Sequence, residues 1–184
     1  MNRLQFLAVA AGALLLSSVP LMAQQARVSP PDVTGAVVDG SRVTVYYSRP
    51  HTKDPKTGVP RKIWGGLVPF GQVWRLGANE AVLLLTQQPL EVGGVTVPAG
   101  ASTLFLLPQQ DGPAKLIINK QVGQWGTQHD EKQDIGRVDL KTDTLEKSVD
   151  QFTMTVAKNP DADGGLLKLM WENTQYSIPF TVKK

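Results

Sequence analysis

The chain contains no cysteine. Disulfides are excluded, and so is a lipid anchor built on cysteine, so the folded protein is held by its core alone. Histidine is scarce, with two copies, His51 and His129. No phosphate-cradling glycine loop, no dinucleotide fingerprint and no Gly-x-Ser-x-Gly elbow occurs, which leaves nucleotide binding and serine hydrolysis without a signature. Charge of one sign is not in large excess: the net charge is +3. Lysines and arginines are scattered among carboxylates rather than gathered into a basic stripe with interleaved aromatics, so no nucleic-acid partner is expected. After the first two dozen residues no convincing 3.6-residue apolar stripe appears, which argues against helices.

What is present starts at the N-terminus. Arg3 precedes an apolar run over residues 4–16, too short to span a bilayer comfortably, followed by Ser17, Ser18, Pro20 and then Leu21-Met22-Ala23. This pattern predicts a signal peptide over residues 1–23, cleaved after Ala23. The product is then a periplasmic or secreted chain of about 160 residues with no stable membrane anchor, large enough for one domain. Residues 24–33 read as a flexible lead-in and residues 34–184 as a single domain.

Period-two alternation dominates that domain. Val43, Val45 and Tyr47 share one strand face, as do Phe152, Met154 and Val156, then Leu167, Leu169 and Trp171, then Tyr176, Ile178, Phe180 and Val182. Asp39-Gly40 and Gly93-Gly94 are hairpin signals. Glu172-Asn173-Thr174 reads as a turn between the last two strands, and Pro179 predicts an edge position or a bulge. At most one short helical turn fits, within residues 128–135. With 17 glycines and 13 prolines, and about nine or ten short strands, the pattern predicts an all-β, jelly-roll-like antiparallel β-sandwich. A closed barrel is the alternative, since strand count does not separate the two.

Polar and aromatic residues concentrate in residues 63–80, IWGGLVPFGQVWRLGANE. Arg75 presents a planar fork suited to a carboxylate or phosphate. Two arrangements are open. In one, Arg75 pairs with Glu80 while Asn79 caps the turn, fixing a corner of the sandwich. In the other, Arg75, Asn79 and Glu80 line a pocket walled by Trp64 and Trp74, joined by Trp125 and His129, that holds a small polar ligand or a glycan. The long loop over residues 49–62 reads mainly as a solvated excursion. His129, Asp130, Glu131 and Asp134 fit no metal signature, and a site joining His51 to His129 requires distant loops to converge, so no metal and no cofactor are expected. Glycoside hydrolysis needs two facing carboxylates, for which Glu80 with Asp130, Glu131 or Asp134 could serve, though nothing in the spacing requires it.

The runs SRP at residues 48–50, RKIWGGLVPFGQVWRLGANE at 61–80, VGGVTVPAGASTLFLLP at 92–108 and INKQVGQWG at 118–126 resemble, in order and spacing, the bacterial family called domain of unknown function 2911. The resemblance covers nearly all of the chain beyond its leader. It implies an exported, β-rich protein and supplies no catalytic residues. Residues 51–60 are longer than the link usual in that family. The expectation is a non-catalytic periplasmic ligand-binding protein. The alternatives are a glycan-directed hydrolase and a structural or assembly protein of the cell envelope.

Overall fold

The computed structural model describes residues 27–184. The expected leader and the first residues of the lead-in lie outside that range. Strand β1 (Pro31–Val38) begins before Thr34, so the end of the expected lead-in is strand, with Val33 paired to Tyr46 of β2 (Ser41–Ser48). Asp39 and Gly40 join the two in left-handed conformations, φ 47° and 83°. That is the two-residue turn whose twist matches its flanking strands.

β3 (Val82–Thr86), β6 (Gly100–Leu107), β7 (Lys115–Asn119) and β8 (Asp134–Asp139) complete a six-stranded antiparallel sheet ordered β1-β2-β3-β6-β7-β8. Between β3 and β6 the chain crosses over as the hairpin β4 (Leu90–Val92) and β5 (Val95–Val97), turned by Gly93-Gly94. Two long strands, β9 (Lys141–Lys158) and β10 (Gly165–Val182), finish a second sheet ordered β5-β4-β10-β9. Neither sheet closes on itself, so the fold is an antiparallel β-sandwich. The expected helical turn is a short 3-10 turn at Glu131–Gln133, capped by the Asp130 side chain, which accepts from the Lys132 N–H.

β10 differs from its expected form. No turn interrupts it at residues 172–174. Instead Glu172 adopts φ 50°, and the register against β9 shifts on either side of it. A bulge advances the alternation by one residue. Leu167, Leu169 and Trp171 therefore face inward before it, and Tyr176, Ile178 and Phe180 face inward after it. Pro179 falls where pairing with β9 has ended at Ser177 and pairing with β4 begins at Phe180. Its missing N–H costs no ladder bond there.

The core lies between the sheets. Val43, Val45, Leu84, Leu104, Leu116 and Ile118 from the larger sheet meet Leu90, Val92, Leu167 and Phe180 from the smaller one. On the outer face of the larger sheet, Phe105 and Ile117 form a second, small cluster with Ala81 and Leu107. His129 covers that cluster, its ring 4.8 Å from that of Phe105.

Candidate functional site

One end of the sandwich is finished by loops rather than strands. Residues 62–68 close on themselves, with the N–H groups of Gly66 and Val68 donating to Ile63 O and that of Leu67 to Lys62 O. Ile63 and Val68 are fully buried and anchor this knot. The β3 ladder on β6 stops at Val82 opposite Leu104. Trp74 then occupies a place on the same strand, exchanging backbone hydrogen bonds of 2.7 and 2.8 Å with Leu106.

Trp64 and Trp74 turn into the mouth of the sandwich. Trp64 meets Trp74, Trp171 and Tyr176 edge to face, and Trp74 stacks on Trp171 at 5.5 Å. Such aromatic pairs add about 0.5–1.5 kcal/mol each beyond the area they bury. Leu76 is also fully buried, in the left-handed region at φ 53°. With Trp74 and Leu76 both directed to the core, Arg75 between them is directed outward.

Arg75 reaches an open cleft of about 430 Å³. Three loop regions, residues 50–61, 67–78 and 126–129, wall it together with Val28 and Ser29 ahead of β1 and Trp171 of β10. The side chains that matter are Trp74, Arg75, His51, Arg61, Gln72 and His129, with Leu67, Pro69 and Val73 giving an apolar flank. Gly126 fits here because a Cβ would stand 2.3 Å from Arg75 Cδ and 2.7 Å from Asn79 O. Only a residue without a side chain lets the arginine stem pass.

The expected residues separate into three groups. Trp74, Arg75 and His129 line the cleft. Trp64 and Asn79 hold the loops in place. Trp64 is a plug whose Nε1 is buried without a partner, and Asn79 donates to Ser29 O and Ser48 Oγ, both at 3.1 Å. Glu80 and Trp125 lie outside the cleft lining. Their backbones bridge one another, while Trp125 is exposed. The anticipated Arg75–Glu80 pair does not form, because Arg27 takes Glu80 at 2.6 Å. That hydrogen bond holds the Glu80 carboxyl below the usual glutamate range.

His51 and Arg61 join the cleft from outside the expected set. The loop over residues 49–62 doubles back through the bridge between Lys53 and Pro60 and is tied to β9 through His51 and Gln151. Arg61 donates to the carbonyls of His51 and Thr52. His51 Nδ1–H donates to Asp150 Oδ2 at 2.8 Å, and Thr52 Oγ donates to the same carboxylate. Hydrogen bonds from His51 and Thr52 keep Asp150 below the ordinary aspartate range.

The second histidine repeats this arrangement in a more buried setting. His129 Nε2–H donates to Asp134 Oδ1 at 2.7 Å. Asn119 donates to the same oxygen and Arg137 to the other. Burial pushes the Asp134 pKa up, and the hydrogen bonds from Asn119, His129 and Arg137 more than reverse it. A carboxylate can only accept, so in each neutral ring the proton sits on the nitrogen facing the aspartate. Nε2 of His51 and Nδ1 of His129 are left as acceptors.

The Asp150 and Asp134 carboxylates thus stand directly behind the two histidines, and the charged side chains of the cleft lining itself are cationic. Arg61, Arg75 and the two histidines line the cleft, and no carboxylate side chain does. Asp54, the carboxylate beside Arg61, is occupied by the N–H groups of Lys56 and Thr57. Arg75 has no ion-pair partner among the described residues, and its Nε is buried without a hydrogen bond. No group of three or more His, Asp or Glu among the described residues is arranged to hold a metal ion. No helix among them is long and apolar enough to cross a membrane.

Residues 29–180 match the family described as protein of unknown function DUF2911, and the chain belongs to that family. No curated protein matches it, and no solved structure does.

Proposed function

Starting from a family whose description assigns no activity, we propose that this protein is a non-catalytic binding protein that holds a small polar ligand in the cleft around Arg75. The observation that carries the reading is the convergence of Trp74, Arg75, His51, Arg61 and His129, from separate loops, on one open cavity. A concave site with an apolar flank and a few convergent polar groups is what small-ligand recognition requires. Arg75 in particular is partly buried without a counter-charge, an unfavourable placement unless a ligand offsets it.

The hydrolase alternative draws less support. Glu80 is engaged by Arg27 and stands outside the cleft, and its pKa is lowered rather than raised as an acid catalyst would need. Asp130 caps a turn, Glu131 pairs with Arg137, and Asp134 is consumed by three donors. A purely structural role is favoured for Trp64 and Asn79 alone. Export is part of the proposal and rests on residues 1–23 of the sequence. Mature protein recovered outside the cytoplasm should begin at Gln24, and an intact Met1 terminus would remove this part of the reading.

A thermal-shift screen of sugars and cell-wall fragments tests the binding. A ligand at about 100 times its Kd stabilises the folded state by about 2.7 kcal/mol. Val73 is exposed and lines the cleft, so Val73→Trp fills the cavity without touching the core. This variant should fold normally and lose the shift, whereas Trp125→Ala should retain it. A shift that survives Val73→Trp and disappears in Trp125→Ala places the ligand elsewhere.

A further inference from the structure

Resting on that reading, we infer that the ligand is an acidic, hydroxyl-bearing ring, a sugar acid or a sugar phosphate, rather than a neutral glycan. Three properties of the cleft lead there. The first is its charge: Arg61 and Arg75 line it and no carboxylate side chain does. Arg75, a partly buried cation with no ion-pair partner among the described residues, selects against cationic ligands and is left uncompensated by a neutral one. A carboxylate or phosphate supplies the missing partner, and the guanidinium fork is suited to either.

The second is the pair of histidines. Asp150 holds Nδ1 of His51 and Asp134 holds Nε2 of His129. In the neutral rings this leaves one acceptor nitrogen on each, a lone pair that matches hydroxyl hydrogens and disfavours a bare anion. Hydroxyl groups therefore belong beside the histidines and the acid group beside the arginines. The third is the apolar flank of Leu67, Pro69 and Val73 with part of Trp74, which suits the C–H surface of a ring. The arrangement at Arg75 is built into the fold: Gly126 leaves room for its stem, and the partly buried Trp74 and fully buried Leu76 pack against the core on either side of it.

Calorimetric titration with glucose, glucuronate and glucose 6-phosphate tests the assignment. At least one of the two acids should bind, and glucose should bind at least tenfold more weakly than that acid. Raising the salt concentration should weaken the acid's binding and leave any residual glucose binding unchanged. Which acid binds separates a carboxylate from a phosphate source. Arg75→Gln should reduce the acid's affinity at least tenfold, with Arg75→Lys retaining part of it. Without ligand, the thermal midpoint of Arg75→Gln should stay level or rise, because the substitution removes an unpaired, partly buried cation. Glucose binding as tightly as both acids overturns the inference and leaves the binding reading standing. Binding of none of the three, or an acid affinity unchanged by Arg75→Gln, overturns the inference. A fall in the unliganded midpoint of Arg75→Gln does so too, since it would mark the arginine as a structural member.

Discussion

The two ends of one core are built by different means. At the far end, strands alone supply the packing. Val43, Leu84, Leu90, Leu104, Leu116 and Ile178 close around a gap of only about 20 Å³, lined by aliphatic chains and Phe180. At the near end, Trp64 and Trp74 descend from loops onto Trp171, Phe152 and Tyr176. Left-handed backbone at Leu76 and Asn79 holds these loops, a conformation that costs of order 1–3 kcal/mol at a residue other than glycine. The gap at the strand-built end is lined by no polar side chain. The loop-built end carries unusual backbone and an arginine with no ion-pair partner among the described residues, and there polar groups from separate loops meet in the cleft. Strand packing and the proposed binding cleft are thus segregated along one hydrophobic core.

Core truncations test that segregation first. Trp171→Ala removes the ring that joins Trp64, Trp74 and Phe152, and should lower the unfolding free energy by about 3–5 kcal/mol in urea titrations. It should abolish ligand binding as well, since Trp74 loses the ring it stacks on. Leu104→Ala, at the other end, should cost about 2–5 kcal/mol while leaving ligand affinity unchanged in the folded fraction. A loss of affinity in Leu104→Ala would show that the two ends are coupled, and the comparison would fail.

The same division governs how far the fold can be read from the residues. Alternation reveals the strand-built part because period two is set by the pleat itself. Val43, Val45 and Tyr47, or Phe152, Met154 and Val156, have one arrangement that buries them together. Even the switch from odd to even inward positions between Trp171 and Tyr176 is visible, and only its physical form, a bulge rather than a turn, is not. The first half of β9 is hidden, because residues such as Lys141, Thr142, Glu146 and Lys147 are exposed and no apolar face marks them. The loop-built end resists further, since its contacts join residues far apart in the chain. Local order suggests Glu80 for Arg75, but Arg27 lies in reach and takes it. His51 and His129, far apart in sequence, share one cleft only through the tertiary fold. Trp74, Arg75 and His129 stand out by residue type and line the cleft, whereas Arg61 and His51 reach the same lining through a loop whose course only the fold shows.

Smaller changes then probe the cleft wall. Asp134 is held below its ordinary range by Asn119, His129 and Arg137, which together outweigh the upward push of burial. A depressed folded value means that this carboxylate contributes stability above its unfolded pKa of about 3.9, and that the contribution is lost as pH falls through the lower, folded value. Asp134→Asn should therefore cost about 1–3 kcal/mol at neutral pH and flatten the acid limb of the stability profile. An unchanged acid limb would mean the carboxylate is not the linked group. Gly126→Ala should cost about 1–3 kcal/mol by overpacking against Arg75 and Asn79 O. It should weaken acid binding in proportion to the displacement of the arginine, and retention of full affinity would show that the Arg75 stem does not depend on that gap.

The smallest expected effect is the sharpest test of which arginine matters. Arg75 lies within the signature segment and Arg27 reaches its last residue, Glu80, yet among the described residues only Arg27 has a carboxylate partner. Both members of the Arg27–Glu80 pair are substantially exposed, at 42% and 48% of their side-chain surface. Exposed pairs are screened by solvent and contribute little. Glu80→Gln should leave the unfolding midpoint within error and leave ligand affinity unchanged, because Glu80 stands outside the cleft. A glycosidase that relied on Glu80 would lose all turnover in the same variant, and a corner held by an Arg75–Glu80 pair would lose stability. An unaltered protein excludes both, and it leaves Arg75 as the charge in this segment with no partner among the described residues.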